Sequence, residues 1–337
     1  MNTAPKRPIT VLRGDGIGPE VIDATLRVLE HLDLGFTFEI FEFGEICKGE
    51  LPDNVIESFD RTKLALKGPA RAGAYRSVTG LIRRYPKFDL YANVRPIFSM
   101  PKMETLFSLK KPLDLVIVRE NSEGEYDVRE QTMADGAVEV TSRYTPKGCE
   151  RIARFAFEYT RHTGRKHVTI GHKRNIFRLA HGMFVDIASE VAKEYPDIGF
   201  SDLIIDNFAL QVARDPWQFD VMLHTNLFGD IFSDLAAGLV HGSLGASGGA
   251  NIGVDHAMFE ATHGTADGIA GQHRASPIAM LHSVCLMFEY LNDETTATKL
   301  RWAIRRTLTD GIVTSDINPT RFATTEEWTD ALIDRLS

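Results

Sequence analysis

At 337 residues, 43% of them hydrophobic, the chain is long for a single core, and two subdomains are expected. A net charge of -8 argues against nonspecific binding to nucleic acid or a membrane surface, and no apolar stretch approaches the roughly 20 residues that span a bilayer. Three scattered cysteines (Cys47, Cys149, Cys285) and a start without an apolar signal segment fit free thiols in a cytoplasmic setting, not a disulfide framework or a Cys-based zinc site.

Ile9–Leu12 reads as a strand, followed by the turn Gly14-Asp15-Gly16-Ile17-Gly18-Pro19-Glu20. Val21, Thr25, Val28 and Leu32 recur at helical spacing, and Gly35 can end that helix. Phe36, Phe38 and Ile40 then alternate as a strand. This β-α-β opening predicts an α/β sheet. The glycines are spaced G-x-G-x-G, not as the dinucleotide fingerprint G-x-G-x-x-G, so the turn is either a tight connection or a ligand-facing loop. Residues 67–77 form a glycine-rich basic loop. With Arg76, Ser77, Thr79, Arg83, Arg84 and Arg95 it is either solvated surface or an anion site.

Leu113–Val118 is a strongly apolar strand whose carboxyl end carries Arg119, Glu120, Glu123, Glu125 and Tyr126. In open α/β sheets ligands bind at that end. Val138–Arg143 alternates as an arm strand. Gly148–Thr160 is helical, His167–Gly171 is a strand, and His172-Lys173-Arg174-Asn175 leads into a helix over Phe177–Glu194. Asp206 ends an apolar run. Phe219–Leu223 is a strand that crosses the turn His224-Thr225-Asn226 into a helix bearing Asp230 and Asp234. At i and i+4 both carboxylates share a helix face. They are read either as acids favoured by the dipole of a helix first turn or, with Asp206, as oxygen ligands for Mg²⁺ or Mn²⁺. Gly242–Gly253 is read as a flexible hinge without the Lys-Ser/Thr ending of a P-loop. Residues 259–271 form a second small-residue loop around His263. Helices over Pro277–Leu291 and Thr295–Leu308 and one beginning near Thr325 finish the chain.

Six motifs in order, GDGIGPEV (14–21), DLYANVRP (89–96), VIVRENSEGEY (116–126), HKRN (172–175), FDVMLHTNLFGDIFSDLAAGL (219–239) and ATHGTADGIAG (261–271), make the chain resemble the β-decarboxylating dehydrogenases. That family includes isocitrate, homoisocitrate, 3-isopropylmalate and tartrate/D-malate dehydrogenases. The resemblance implies an α/β, isopropylmalate dehydrogenase-like fold of two subdomains, not a Rossmann domain. Residues 1–98 and 246–337 would form the outer, cofactor-binding subdomain. Residues 99–245 would form the inner one, with a dimerisation arm and the metal site. It further implies a homodimer with shared active sites. Arg95, Arg119 and Tyr126 would bind the malate part of the substrate. Lys173 and Asp206 would reach in from the partner chain, with Asn175 beside Lys173. Asp206, Asp230 and Asp234 would hold Mg²⁺ or Mn²⁺. His263, Gly264, Thr265, Ala266, Asp267, Gly268 and Ile269, with Ser276 and Asp316, would hold the adenosine of the cofactor.

The implied reaction is oxidative decarboxylation of a 3-substituted malate. Lys173, if burial near cations depresses its pKa, takes the hydroxyl proton, and Tyr126 protonates the enol carbon. In this comparison Ser77 is retained, Thr79 replaces an Asn and Thr105 replaces a substrate arginine. Arg76, Ser77 and Thr79 favour a polar γ-group, so isocitrate leads. Homoisocitrate, tartrate or D-malate, 3-isopropylmalate and a phosphonate-bearing malate are the alternatives. Ile269 and an acid at Asp267, with Gly268 where NADP enzymes carry Lys, favour NAD. Arg274 is the feature on the other side. A non-catalytic regulatory subunit is the rival class.

Overall fold

The computed structural model describes residues 7–71, 77–103 and 109–337; Arg76 and Thr105 lie outside them. In chain order the elements are β1 (Arg7–Leu12), α1 (Gly18–His31), β2 (Phe36–Phe41), α2 (Asp53–Thr62), β3 (Leu64–Lys67), α3 (Val78–Arg83), β4 (Ala92–Phe98), β5 (Asp114–Glu120), β6 (Gly124–Thr132), β7 (Val138–Arg143), α4 (Pro146–His162), β8 (His167–His172), α5 (Ala180–Ala192), β9 (Gly199–Ile204), α6 (Ile205–Arg214), β10 (Val221–His224), α7 (Asn226–His241), β11 (Gly248–Ile252), β12 (Ala257–Ala261), α8 (Ile278–Tyr290), α9 (Glu294–Thr309) and α10 (Thr325–Leu336). Among the described residues no helix is long and apolar enough to cross a membrane.

The chain divides into two compact units. The first holds Met1–Leu90, Ser99–Ser108 and Val240–Ser337. Its strands run in the order β2-β1-β3-β12-β11, parallel except for the β11–β12 pair. Helix α8 is buried along nearly its whole length and is apolar on every face, as a central helix must be. Leu12, Phe43, Val55, Phe59, Phe88 and Met258 form one core. Ile17 and Val21 pack on Ala275 and Ile269, which ties the first glycine turn to the second small-residue loop.

The second unit holds Tyr91–Phe98 and Leu109–Leu239. Strand β4 belongs here because it pairs with β5 over seven positions, whereas the sequence reading puts residues up to 98 with the chain ends. The strand order is β4-β5-β10-β8-β9, parallel beyond the β4–β5 pair. Residues 115–118 of β5 and 221–223 of β10 are fully buried, as strands covered on both faces require. Strands β6 and β7 form a separate antiparallel hairpin.

Three expectations change. Residues 248–252 are a buried strand, not part of a flexible hinge. A Cβ on Gly248 would lie 2.6 Å from the Ser283 amide nitrogen of α8, so this glycine serves close backbone approach. Helix α7 begins at Asn226 and has no acid in its first turn. Asp230 and Asp234 therefore lie beyond the end where the dipole acts, and that reading of them is dropped. Helices α2 and α3 and the short strand β3 are additions, and Asp206, at the end of its apolar run, falls in the first turn of α6.

Candidate active site

In the second unit, β4 carries Arg95, the carboxyl end of β5 carries Arg119, β6 carries Tyr126, and α7 carries Asn226, Asp230, Ser233 and Asp234. Both arginines are buried, at 6% and 1% exposure. A guanidinium in that position needs charged and polar partners. Arg119 has them: Nη1 donates to Asp230 Oδ1, while Nη2 and Nε donate to Asn226 Oδ1 at 2.7 and 3.2 Å. Arg95 Nε donates to Asn93 Oδ1 at 2.8 Å and Nη1 to Ser233 Oγ at 2.6 Å; the same Nη1 lies 3.3 Å from Asp230 and 3.9 Å from Asp234. Tyr126 lays its ring against the Arg119 guanidinium, 4.7 Å from the centroid, and its hydroxyl donates to Asp230 Oδ2 at 2.5 Å. Gly229 makes this possible. A Cβ there would sit 2.6 Å from Arg119 Cβ and Cγ.

The environment separates the two acids. Burial pushes the Asp230 carboxyl up, but Arg119, Tyr126 and Arg95 outweigh it and hold it below the ordinary range. Asp234 goes the other way, because burial and the Asp230 charge exceed the pull of Arg95. Burial, then the bond to Asp230, raises the Tyr126 phenol. Asp230 and Asp234 offer only oxygen donors, which suits a hard cation such as Mg²⁺ or Mn²⁺. Among the described residues no three His, Cys, Asp or Glu side chains are grouped to hold a metal. One chain therefore does not bring Asp206 to Asp230 and Asp234.

Lys173 follows β8, and its Nζ donates to Asp206 Oδ1 at 2.5 Å. That bond holds the Asp206 carboxyl below the ordinary range. Within its own chain the partner of the Lys173 ammonium is an anion. Asn175 is exposed on the same loop. Ile176, Phe177 and Leu179 beside Lys173, Leu210 on α6 and Ile231 on α7 are large exposed apolar side chains, Leu179 at 89%.

In the first unit, β12 feeds the loop 263–271. His263 Nδ1 lies 2.9 Å from the Gly264 carbonyl, while its Nε2 is buried without a partner and burial lowers its pKa. The Thr265 carbonyl accepts the Ile17 amide at 3.0 Å. Ala266 takes φ +42° and starts the turn Asp267–Ile269. Asp267 Oδ1 accepts from Arg71 Nη2 at 2.5 Å, which lowers its pKa. Gly268 is exposed, with open space around an added Cβ. The Ser276 hydroxyl is buried and unpartnered, and Asp316 Oδ1 accepts from Thr314 Oγ1 at 2.5 Å. Ser77 caps α3 by accepting the Gly80 amide at 3.2 Å, and Thr79 is the second residue of that helix.

Sequence reasoning missed a buried ion trio in this unit. Glu260 lies 2.6 Å from Lys67 Nζ, pairs with Arg83 and accepts from Asn251 Nδ2 at 2.7 Å. The available signal was a charge inside each of two apolar strands, Lys67 ending LALK and Glu260 within AMFEA.

Comparison with known proteins adds the following. The family model described as isocitrate/isopropylmalate dehydrogenase matches residues 8–332. The NADP isocitrate dehydrogenase of Thermus thermophilus is 40% identical over 340 residues, 98% of this chain and 68% of that protein. A probable NAD isocitrate dehydrogenase subunit alpha of Caenorhabditis elegans is 39% identical over 313 residues, 90% of this chain and 86% of that protein. An NAD isocitrate dehydrogenase regulatory subunit of Arabidopsis thaliana is 37% identical over 337 residues, 98% of this chain and 90% of that protein. The crystal structure of isocitrate dehydrogenase from Methylococcus capsulatus superposes with a TM-score of 0.92 at 40% identity, covering 98% of this chain and 99% of that one.

Proposed function

The chain belongs to the isocitrate/isopropylmalate dehydrogenase family, and on that premise we propose that it oxidatively decarboxylates a 3-substituted malate, with isocitrate as substrate and NAD as cofactor. The observation that carries this reading is the buried pair Arg95 and Arg119 gathered with Tyr126 on Asp230 and Asp234. Two guanidiniums backed by fixed partners can grip substrate carboxylates. Asp230 and Asp234 would hold a divalent metal, which when bound acidifies the substrate hydroxyl and stabilises the enolate left by loss of CO₂. Lys173 Nζ takes the hydroxyl proton, with Asp206 as its hydrogen-bonded partner. Tyr126 Oη, kept protonated by its raised pKa, delivers a proton to the enol carbon. The cofactor supplies the hydride acceptor. Residues 263–269, Ser276 and Asp316 would bind it; the unpartnered His263 Nε2 and Ser276 Oγ are buried polar atoms that fit such a ligand.

A homodimer in which Lys173 and Asp206 serve the partner's site is supported by the exposed apolar side chains around them, a surface suited to burial against another protomer. The polar Ser77 and Thr79 support a polar γ-group. NAD is supported by Gly268, which offers no cation for a 2′-phosphate; Arg274, its guanidinium stacked on Phe322 at 4.8 Å, stands on the other side. The test is a panel of 3-substituted malates with Mn²⁺ and either NAD or NADP, following the reduced cofactor. Isocitrate with NAD should give the highest kcat/KM. A higher value with NADP reverses the cofactor assignment, and a higher value with another malate reverses the substrate. No turnover with any combination favours the regulatory-subunit reading, which the name of the Arabidopsis relative keeps in view.

A further inference from the structure

His181, at the second position of α5, is fully buried and has no part in the chemistry above. Its Nδ1 accepts the backbone N–H of Lys173 at 2.9 Å. The ring is boxed by Phe177, Tyr144 and Phe228, at centroid distances of 5.1, 5.4 and 5.5 Å. The Lys173 carbonyl is held as well, accepting the amides of Phe177 and Ile176 at 2.9 and 3.0 Å. The next amide, Arg174 N–H, reaches Nδ1 of buried His172 at 3.2 Å, and His172 Nε2 faces Asp202 Oδ2 at 2.8 Å. Two imidazole nitrogens thus receive two consecutive amides of the loop that carries Lys173. An Nδ1 that accepts must be unprotonated, so His181 is neutral with its proton on Nε2. Burial agrees, lowering its pKa to about 4.

We infer that His181 is a positioning residue for Lys173, its Nδ1 fixing the main chain from which the lysine reaches the reacting hydroxyl. This rests on the proposed role of Lys173. A lysine stem has four rotatable bonds, so where Nζ arrives depends on how firmly its Cα is held. Removing the acceptor leaves the Lys173 amide unpaired and lets that segment shift.

Three variants of the full-length enzyme, assayed with metal, isocitrate and NAD, test this. Asn places an amide oxygen near the position of Nδ1, Leu fills similar volume without an acceptor, and Gln carries its amide one bond too far. His181→Leu should lower kcat about 10- to 100-fold with KM changed less than about 3-fold, a misplaced base and not a lost binding contact. His181→Asn should recover kcat to within about 3-fold of the parent, and His181→Gln should stay low. Parental kcat in His181→Leu overturns the inference, as does equal kcat in the Asn and Gln variants. If the Leu variant does not fold, the Asn–Gln contrast decides alone. Lys173→Met, measured alongside, separates the two ideas. Its retained turnover sinks the role of Lys173 and the inference with it. Its loss beside an unaffected His181→Leu sinks only the inference.

Discussion

Tyr126 donates its hydroxyl to one oxygen of Asp230 at 2.5 Å, and Arg119 occupies the other oxygen of the same carboxylate. The proposed proton donor and a proposed metal ligand are therefore in direct contact. Tyr126→Phe removes the proton and keeps the ring on Arg119. We expect kcat to fall about 10²- to 10⁴-fold with substrate KM little changed. The side chain is 43% exposed, so the melting temperature should hardly move. Steady-state kinetics beside a thermal melt gives both numbers. A variant with parental kcat would remove Tyr126 from the chemistry.

Asp234 has a raised pKa because burial and Asp230 oppose its charge, which is the situation a bound cation relieves. Asp234→Asn should raise the Mn²⁺ concentration for half-maximal rate at least about 10-fold. EDTA should stop the parent enzyme and added Mn²⁺ restore it. A Mn²⁺ titration that superposes on the parent's would exclude this acid from the metal site.

Gly229 lets α7 lie against the stem of Arg119. In Gly229→Ala the new methyl meets Arg119 Cβ and Cγ at 2.6 Å, closer than side chains tolerate. Arg119 has to shift, and kcat/KM should fall at least about 10-fold. Unaltered kinetics would mean that the guanidinium keeps its place by another route.

Glu260 pairs with two cations, the buried Lys67 and the half-buried Arg83. Glu260→Gln strands both charges, and urea unfolding should show a loss of about 3–5 kcal/mol. Burial raises this carboxyl, but Arg83 and Lys67 more than reverse that and leave it well below the glutamate range. A depressed acid stabilises the fold fully above its unfolded pKa of about 4.3, and that share disappears as pH falls toward the folded value. Parent and variant should therefore converge in stability on acidification below about pH 4.3. A gap that stays constant down to acid unfolding would contradict the assignment.

His224 and His282 are buried with pKa values lowered to about 3, and His181 to about 4, in each case chiefly by burial. Unfolded histidine takes its proton near pH 6.5, so between there and the folded values the unfolded chain binds more protons. Stability should fall as pH drops below about 6.5, by up to about 1.4 kcal/mol per pH unit for each ring. His224→Phe keeps an aromatic ring between Phe208 and Phe232 and should flatten that slope. Urea midpoints at two pH values measure it, and an equal slope in the variant would rule His224 out as a contributor.

Much of the site was legible because it is written in short motifs at strand ends. Arg119 near the carboxyl end of β5 and Lys173 just after β8 close apolar runs, positions where ligands are met, whereas Arg95 inside β4 and Tyr126 near the start of β6 were legible only through the motifs that contain them. The β-α-β opening was legible for the same reason. Glycine was misread at 248, since its small size serves mobility and close approach equally, and only the position of α8 separates the two.

The sequence by itself determined the fold class, the family and the residue types available for the chemistry. Tertiary structure alone decided which charges meet: Glu260 with Lys67 and Arg83, Asp230 with Arg119 and Tyr126, and the His181 imidazole with the Lys173 amide. Propensity and periodicity act over a few neighbouring residues. Burial and ion pairing depend on segments far apart in the chain, and they take effect only after the whole fold has chosen which of those segments pack together.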